Sequence, residues 1–259
     1  MALFGTKADL TVGMKAAGQE SVWEHEVIRP GLIFNLGGVS SEMIRKVAIV
    51  LVCWLAGNMA VGESFDYEEG THYAELVIPL KTGNKDKIEV TEYFSYGCPH
   101  CYQFDPMITA WEENLEGDVS FSRTPAIWNK DYQVYAQTYY AAKALDISEK
   151  LHTPLFQAIH AQRKRLNDPK LMAVFFSDFG IDPVDFAKVY NSFGVRASVQ
   201  QAEARGRAYR SGGVPAIIVN GKYRIESQMA GSNSNMLRIT DYLVQKERDM
   251  MKSQESASD

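Results

Sequence analysis

The spacing of apolar residues changes along the chain, and these changes outline the secondary structure. From residue 88 to residue 96, β-branched and aromatic residues dominate, which predicts a central strand. Gly97 ends this strand, and Pro99 suits the first turn of a helix that we predict to reach about Leu115. Two further stretches, 73–80 and 119–124, also predict strands.

Residues 133–210 form a block in which aromatic and aliphatic residues recur at helical spacing. Asp168-Pro169 and Asp182-Pro183 are typical starts of helices, because Asp caps the first turn and Pro fits its first position. The block predicts five helices, at 133–145, 148–165, 168–179, 182–193 and 197–210.

The C-terminal region combines a hairpin and a helix. A short apolar strand (216–219), a turn at Asn220-Gly221 and a second strand (222–225) predict the hairpin. An amphipathic helix is predicted at 236–250, with a mobile polar tail from Ser253. Without the helical block, the order β-β-α-β-β-β-α is close to a thioredoxin fold. We therefore expect an α/β protein with a thioredoxin fold and an inserted all-helical domain.

The clearest change in composition lies near the N-terminus. A basic stretch at 43–46 precedes an uncharged apolar run at 47–56 and the small residues Ala60-Val61-Gly62. This order predicts a secretory signal peptide that is cut after Ala60 or Gly62. The run is shorter than the ~20 residues of a membrane-spanning helix. A buried core segment and an uncleaved membrane anchor are the alternatives.

The signal peptide sets the predicted domain limits. We interpret the residues before it as an extension without a fold of its own, or as the result of a start codon assigned too early, with Met43 as the first residue. The predicted segments are the extension 1–42, the signal peptide 43–62, the two parts of the thioredoxin domain at 63–130 and 196–251, the helical insertion 131–195 and a flexible tail 252–259.

Composition narrows the functional classes. The chain is 46% hydrophobic and 23% charged, which is ordinary for a globular protein. Its formal net charge of −5 argues against nucleic-acid binding, which needs a clustered excess of Lys and Arg. Its 3 cysteines are too few for a disulfide scaffold, and Cys53 lies inside the signal peptide. Cys98 and Cys101 are therefore left as a pair in an exported, oxidising compartment.

The segment Cys98-Pro99-His100-Cys101 stands at the predicted junction of strand and helix, and it carries the chemistry that we predict. The N-terminus of a helix favours an anion, so it should stabilise the thiolate of Cys98. His100 can place a positive charge beside that thiolate, and Cys101 can close a disulfide with it. A stabilised thiolate favours the reduced dithiol, which makes the disulfide a stronger oxidant.

Other uses of two cysteines at this spacing fit the sequence less well. A zinc site needs four ligands, but the mature chain has no third cysteine, and His152 and His160 lie outside finger spacing. Tyr102 follows Cys101 where the attachment of a c-type haem needs His. A purely structural disulfide across so short a loop would remove little chain entropy. We expect His72, like the other two histidines, to be a surface or hydrogen-bonded residue.

Two segments resemble the DsbA family of bacterial periplasmic thiol:disulfide interchange proteins, in the thioredoxin superfamily. Residues 92–104 (EYFSYGCPHCYQF) resemble its active-site segment, and residues 212–223 (GGVPAIIVNGKY) resemble its second signature. The resemblance covers nearly all of 64–251. It implies that Cys98 is the exposed nucleophile and that Cys101 is buried and resolves the mixed disulfide.

The resemblance also implies roles outside the C-x-x-C motif. Val214-Pro215 matches a loop with a cis proline that faces the disulfide and holds the substrate backbone; an ordinary loop proline is the alternative. Glu92 matches a buried acid that helps to move the proton of the second cysteine, unless it is an exposed strand carboxylate. Asp105 matches a position that is usually acidic, although a solvated helix acid fits equally well. Gly97 stands where some relatives carry a bulky aromatic residue.

The function that we expect is that of an exported dithiol oxidase, which donates the Cys98–Cys101 disulfide to secreted proteins with free cysteines. The resemblance implies a periplasmic location and reoxidation by a DsbB-like quinone-linked membrane protein. We also expect a monomer that needs no organic cofactor or metal and binds no nucleic acid. One alternative is a disulfide isomerase or reductase, although residues 63–87 are too short for the dimerisation domain of family isomerases. Another is a peptide-binding chaperone or adaptor with an incidental disulfide.

Overall fold

A computed structural model describes residues 66–257, so the predicted extension and signal peptide lie outside the described residues. The described strands are β1 (Ala74–Glu75), β2 (Ile88–Phe94), β3 (Val119–Pro125), β4 (Ala216–Val219) and β5 (Tyr223–Glu226). They form one sheet in the order β1-β5-β4-β2-β3. β2 pairs with β3 in parallel and with β4 in antiparallel orientation, so the strand that leads into the C-x-x-C motif is flanked on both sides.

Helices cover both faces of this sheet. The described helices are α1 (Pro99–Glu112), α2 (Lys130–Ala144), α3 (Ser148–His160), α4 (Pro169–Ser177), α5 (Pro183–Tyr190), α6 (Phe193–Tyr209), α7 (Ser227–Ala230) and α8 (Asn233–Ser256). α1 and α8 bury Phe104, Ile108 and Leu243 in one apolar cluster with β2 and β4. On the opposite face, Tyr209 at the end of α6 packs edge-on against Tyr93 of β2.

The four helices α2–α5 form the helical insertion, and their apolar core reaches the active-site motif. Phe156 and Phe176 lie in one cluster with Phe94 and Tyr96, at the end of β2, and with Cys101. The insertion therefore packs at the C-terminal end of β2, where the C-x-x-C motif begins. A thioredoxin fold with a helical insertion is the fold class predicted from the sequence, and it is confirmed.

The first strand is much shorter than predicted. Segment 73–80 pairs with β5 only over Ala74–Glu75. Beyond that pair Val77 and Ile78 are 75% and 73% exposed. The amides of Leu76 and Leu80 still donate hydrogen bonds to the carbonyl oxygens of Lys222 and Gly221, but both acceptors lie before the start of β5, and Pro79 has no amide to donate.

The last helix is longer than predicted. It begins at Asn233, where the hydroxyl of Ser232 accepts a hydrogen bond from the amide of Asn235 at 3.1 Å. No Gly or Pro follows in the helix, so nothing stops it before Ser256. The part of the predicted flexible tail up to Ser256 is therefore helical instead. Within residues 66–257, no helix is both long and apolar enough to cross a bilayer.

Candidate active site

Cys98 is the N-cap residue of α1, at the junction that the sequence predicts. Its backbone is extended (φ −96°, ψ 117°), no side chain caps the helix, and Pro99 occupies the first turn. Amides of the first turn, from His100 and Cys101, therefore remain free to bond to the Cys98 sulfur. The two cysteines are not bonded to each other, so the structure represents the dithiol form.

The two sulfurs differ in acidity. A hydrogen bond from the side chain of Cys101 lowers the pKa of Cys98 to about 6 against the effect of burial, and the amides of Cys101 and His100 and the charge of His100 act in the same direction. Burial, together with the neighbouring Cys98 sulfur, raises the pKa of Cys101 well above that of a free thiol. At neutral pH the nucleophilic form is therefore the Cys98 thiolate, with a protonated thiol behind it.

Cys98 is covered by the loop between α6 and β4. Its sulfur lies 3.3 Å from the carbonyl oxygen of Val214, and the Val214–Pro215 peptide bond is cis. Cys98 is only 5% exposed and Cys101 is fully buried. The expectation of an exposed Cys98 is thus wrong for this dithiol form, because the loop closes over the sulfur. The alternative of an ordinary loop proline fails, since Pro215 lies in the loop that contacts the motif.

A groove of about 450 Å³ opens beside this loop. Exposed His100 borders it on the side of α1. Its lining is mostly polar or glycine: His100, Gly212, Gly213, Val214, Pro215, Glu226, Ser227, Gln228 and Asn233. Such a lining suits an extended peptide backbone better than a bulky apolar ligand.

Glu92 lies in β2 behind the cysteine pair and is 1% exposed, so its predicted burial is confirmed. Desolvation raises its pKa to about 7, although the ion pair with Arg123 (Nε to Oε2, 2.9 Å) acts in the opposite direction. The carboxylate of Glu92 in turn raises the pKa of Cys101. A carboxyl group that titrates near neutrality, close to the buried thiol, can accept or donate a proton there.

Arg123 is a site residue that sequence reasoning missed. It lies on β3 directly opposite Glu92, and its Nη1 also lies 3.2 Å from Glu112 Oε2. Its side chain is 10% exposed, and the sequence marks it only as a charged residue in a short strand. The parallel register of β2 and β3 is what brings the pair together.

Asp105 and His152 form a second buried polar group, between α1 and α3. Asp105 is 2% exposed, so the alternative of a solvated helix acid is wrong. Its carboxylate accepts a hydrogen bond from Thr153 Oγ1 at 2.9 Å, and its Oδ1 lies 3.1 Å from His152 Nε2. His152 Nδ1 lies 2.8 Å from the hydroxyl of Tyr96. Burial, aided by the charge of Arg123, lowers the pKa of His152, so we assign a neutral imidazole that links the two helices.

The spacing of the histidines of α3 is the one sequence feature that indicates their shared position. His152, Phe156 and His160 are four residues apart and therefore share one face of the helix. All of them meet the residues around the motif: Nε2 of His160 lies 2.8 Å from the backbone oxygen of Tyr96, and its ring stacks on that of Tyr102. The expectation that these histidines are surface or hydrogen-bonded residues holds, but they are bonded to the active-site segment itself.

Gly97 makes room for a neighbouring ring. A Cβ at this position would lie 2.8 Å from Cε2 of Tyr135, on α2. The glycine therefore allows the insertion to approach the residue before Cys98 closely, and a bulky aromatic side chain here would have to displace that ring.

Comparisons with known proteins agree with this geometry. Residues 115–243 match the family model of the DSBA-like thioredoxin domain. The chain is 42% identical over 183 residues to the thiol:disulfide interchange protein DsbA of Azotobacter vinelandii, covering 71% of this chain and 86% of that protein. The crystal structure of Pseudomonas aeruginosa DsbA is similar with a TM-score of 0.70 at 39% identity, covering 73% of this chain and 98% of that one. The oxidoreductase DsbA from Xylella fastidiosa gives a TM-score of 0.67 at 34% identity, with coverages of 71% and 98%.

Proposed function

Because the chain belongs to the DsbA family of thiol:disulfide interchange proteins, a family of thiol:disulfide oxidoreductases, we propose that it acts as an exported dithiol oxidase. Its substrates are secreted proteins with free cysteines, to which it donates a Cys98–Cys101 disulfide. One observation supports this proposal most directly: the Cys98 thiolate is stabilised at a helix N-terminus, next to the buried, protonated thiol of Cys101. Stabilising the thiolate stabilises the reduced, dithiol form of the enzyme. The disulfide is therefore readily reduced by substrate thiols, which makes it a strong oxidant.

The proposed reaction transfers two electrons in two exchange steps. A substrate thiolate attacks the Cys98 sulfur, the Cys98–Cys101 bond breaks, and its electron pair passes to Cys101, which takes up a proton. A second substrate thiolate then attacks the substrate sulfur of the mixed disulfide and displaces Cys98 as a thiolate. The substrate dithiol becomes a disulfide, the enzyme disulfide becomes a dithiol, and the remaining proton goes to solvent.

The surrounding residues assist particular steps. Glu92 donates the proton that Cys101 takes up and recovers one on reoxidation, and the ion pair with Arg123 keeps its carboxyl group oriented. His100 stabilises the Cys98 thiolate as leaving group by its charge, and Pro99 begins the helix whose amides do the same. The backbone at Val214-Pro215 holds the substrate beside Cys98.

The chemistry of the cycle implies further partners. The dithiol that remains after each turnover must be reoxidised, and we propose a DsbB-like, quinone-linked membrane protein for this step. We further propose that the protein works as a periplasmic monomer, exported by the segment 43–62, and that the redox-active disulfide is its only cofactor. Intact-mass analysis of exported protein, with and without thiol alkylation, tests the mature N-terminus and the cysteine state together. Retention of residues 1–42 would contradict this account.

The reduction potential separates an oxidase from a reductase. We expect equilibration with glutathione to give a potential less negative than the roughly −270 mV of thioredoxin. A potential near that value would refute the oxidase role and favour a reductase. Cys98→Ser provides the test against a chaperone or adaptor. We expect this variant to lose oxidation of a reduced substrate protein, whereas unchanged oxidation would show that the disulfide is incidental.

A further inference from the structure

A carboxylate of strand β5 binds the loop that covers Cys98. The carboxylate oxygen Oε1 of Glu226 accepts a hydrogen bond from the amide of Gly212 at 2.8 Å. The same oxygen lies 2.9 Å from the hydroxyl of Ser211, which also lies 2.7 Å from the carbonyl oxygen of Gly213. One carboxylate oxygen therefore binds two successive residues of the loop, Ser211 and Gly212, and only Gly213 separates them from Val214.

Arg224 fixes Glu226 and the start of the loop together. Its Nη1 donates hydrogen bonds to the carbonyl oxygens of Tyr209 and Arg210, at 2.8 and 2.7 Å, where α6 ends. Its Nε lies 3.3 Å from Oε1 of Glu226, and the two side chains are 18% and 21% exposed. Arg224 therefore contacts the carboxylate of Glu226 while it is hydrogen-bonded to the backbone at the start of the loop.

The loop needs an external restraint because of its sequence. Gly212 and Gly213 are adjacent, and a Cβ at either position would meet nothing within 4 Å. Two glycines in open space have wide conformational freedom, so they do not by themselves fix the position of Val214. The carbonyl oxygen of Val214 lies 3.3 Å from the Cys98 sulfur, so any shift of the loop alters the substrate site.

We propose that Glu226, held by Arg224, is a positioning residue that fixes residues 211–214 opposite Cys98, so that the loop backbone is ready for an extended substrate segment. Glu226 also lines the groove beside Val214, which places the restraint at the substrate site and not at a remote part of the fold. The role rests on the proposed function, because it concerns substrate binding by this loop.

The matched variants are Glu226→Ala, which removes the acceptor, and Glu226→Gln, which keeps an acceptor oxygen for Gly212 and Ser211. Glu203→Ala is the control, since Glu203 is an exposed residue of α6 that forms an ion pair with Arg207, one turn away in the same helix. Amide hydrogen exchange of each protein without substrate measures the restraint directly. We expect Gly212 to exchange faster in Glu226→Ala, to remain slow in Glu226→Gln, and to be unchanged in the control.

Single-turnover oxidation of a synthetic dithiol peptide by the oxidised enzyme measures the consequence for binding. We expect Glu226→Ala to raise the half-saturating peptide concentration about tenfold, the effect of one or two lost hydrogen bonds, while the maximal rate and the pKa of Cys98 stay near the wild-type values. Glu226→Gln should restore most of the affinity. These outcomes together support the positioning role, since a general loss of stability would lower the maximal rate as well.

Two results contradict the positioning role of Glu226 but leave the proposed function untouched. One is unchanged exchange at Gly212 in Glu226→Ala, and the other is faster exchange with an unchanged half-saturating concentration. A wild-type enzyme that does not oxidise the peptide at all refutes the proposed function, and the positioning role with it. The activity of the wild type therefore distinguishes the two failures.

Discussion

Replacing Glu92 by Gln should change how the stability of the protein depends on pH. Burial raises the pKa of this carboxyl from 4.5 to about 7 in the folded protein. Between those values the folded protein keeps a proton that the unfolded chain has released, so the free energy of unfolding falls as pH rises through this window. At about 1.4 kcal/mol per pKa unit, Glu92 lowers the free energy of unfolding by roughly 3 kcal/mol from pH 4.5 to pH 7.

Urea unfolding of the dithiol form at a series of pH values, followed by circular dichroism, measures this effect. A Gln side chain does not titrate, but it retains an acceptor oxygen for Arg123. We therefore expect the difference in stability between Glu92→Gln and wild type to move by roughly 3 kcal/mol in favour of the variant between pH 4.5 and pH 7. Contributions of other titrating groups, such as His152 and Cys98, are common to both proteins and cancel in the difference to first order.

Glu203→Gln serves as the control for this measurement, because its carboxylate is exposed and paired within one helix. Its pH profile should run parallel to that of the wild type. If the profile of Glu92→Gln is also parallel to the wild type, the carboxyl group is already ionised at pH 4.5 to 7. The ion pair with Arg123 would then outweigh desolvation, and Glu92 could not deliver a proton to Cys101 near neutral pH.

Further predictions concern the thiolate and the packing of α6. Cys101→Ala removes the largest stabilising contribution to the Cys98 thiolate, so we expect the pKa of Cys98, followed by absorbance at about 240 nm, to rise from about 6 towards the 9.0 of a free thiol. A midpoint still near 6 would mean that the helix amides alone suffice. Gly206→Ala places a Cβ 2.5 Å from the Tyr93 hydroxyl, and we expect urea unfolding to show a loss of about 1–3 kcal/mol. In the same helix Gly194→Ala meets nothing within 4 Å, so it should be neutral or stabilising by up to about 1 kcal/mol; equal losses in both variants would refute the packing argument.

Local patterns were sufficient for most of the architecture. The β-branched run before Cys98, the Asp-Pro starts of α4 and α5, and the Asn220-Gly221 turn all concern neighbours in the chain, and the structure has the corresponding elements. Errors occurred where a boundary depends on pairing or on the absence of a stop signal. β1 ends early because its partner strand is short and Pro79 follows, and α8 runs on because nothing interrupts it.

Contacts between residues far apart in the chain could not be predicted from the sequence. Glu92 stood out as an acid in an apolar strand, but its partner Arg123 follows from strand register. Asp105 and His152 were both visible as single residues, and neither indicated the other, because they meet only where α3 packs on α1.

The sequence by itself determined the redox motif, its position at a strand-to-helix junction, and the kind of fold around it, since these depend on residue type and short-range spacing. Only the tertiary structure decided how the site is tuned. Burial sets the pKa of Glu92, the loop at Val214 covers the Cys98 sulfur, and Glu226 reaches that loop from the adjacent strand. Desolvation and hydrogen bonding between distant segments arise only when the chain is folded, and they shift proton affinities and loop positions that no local pattern records.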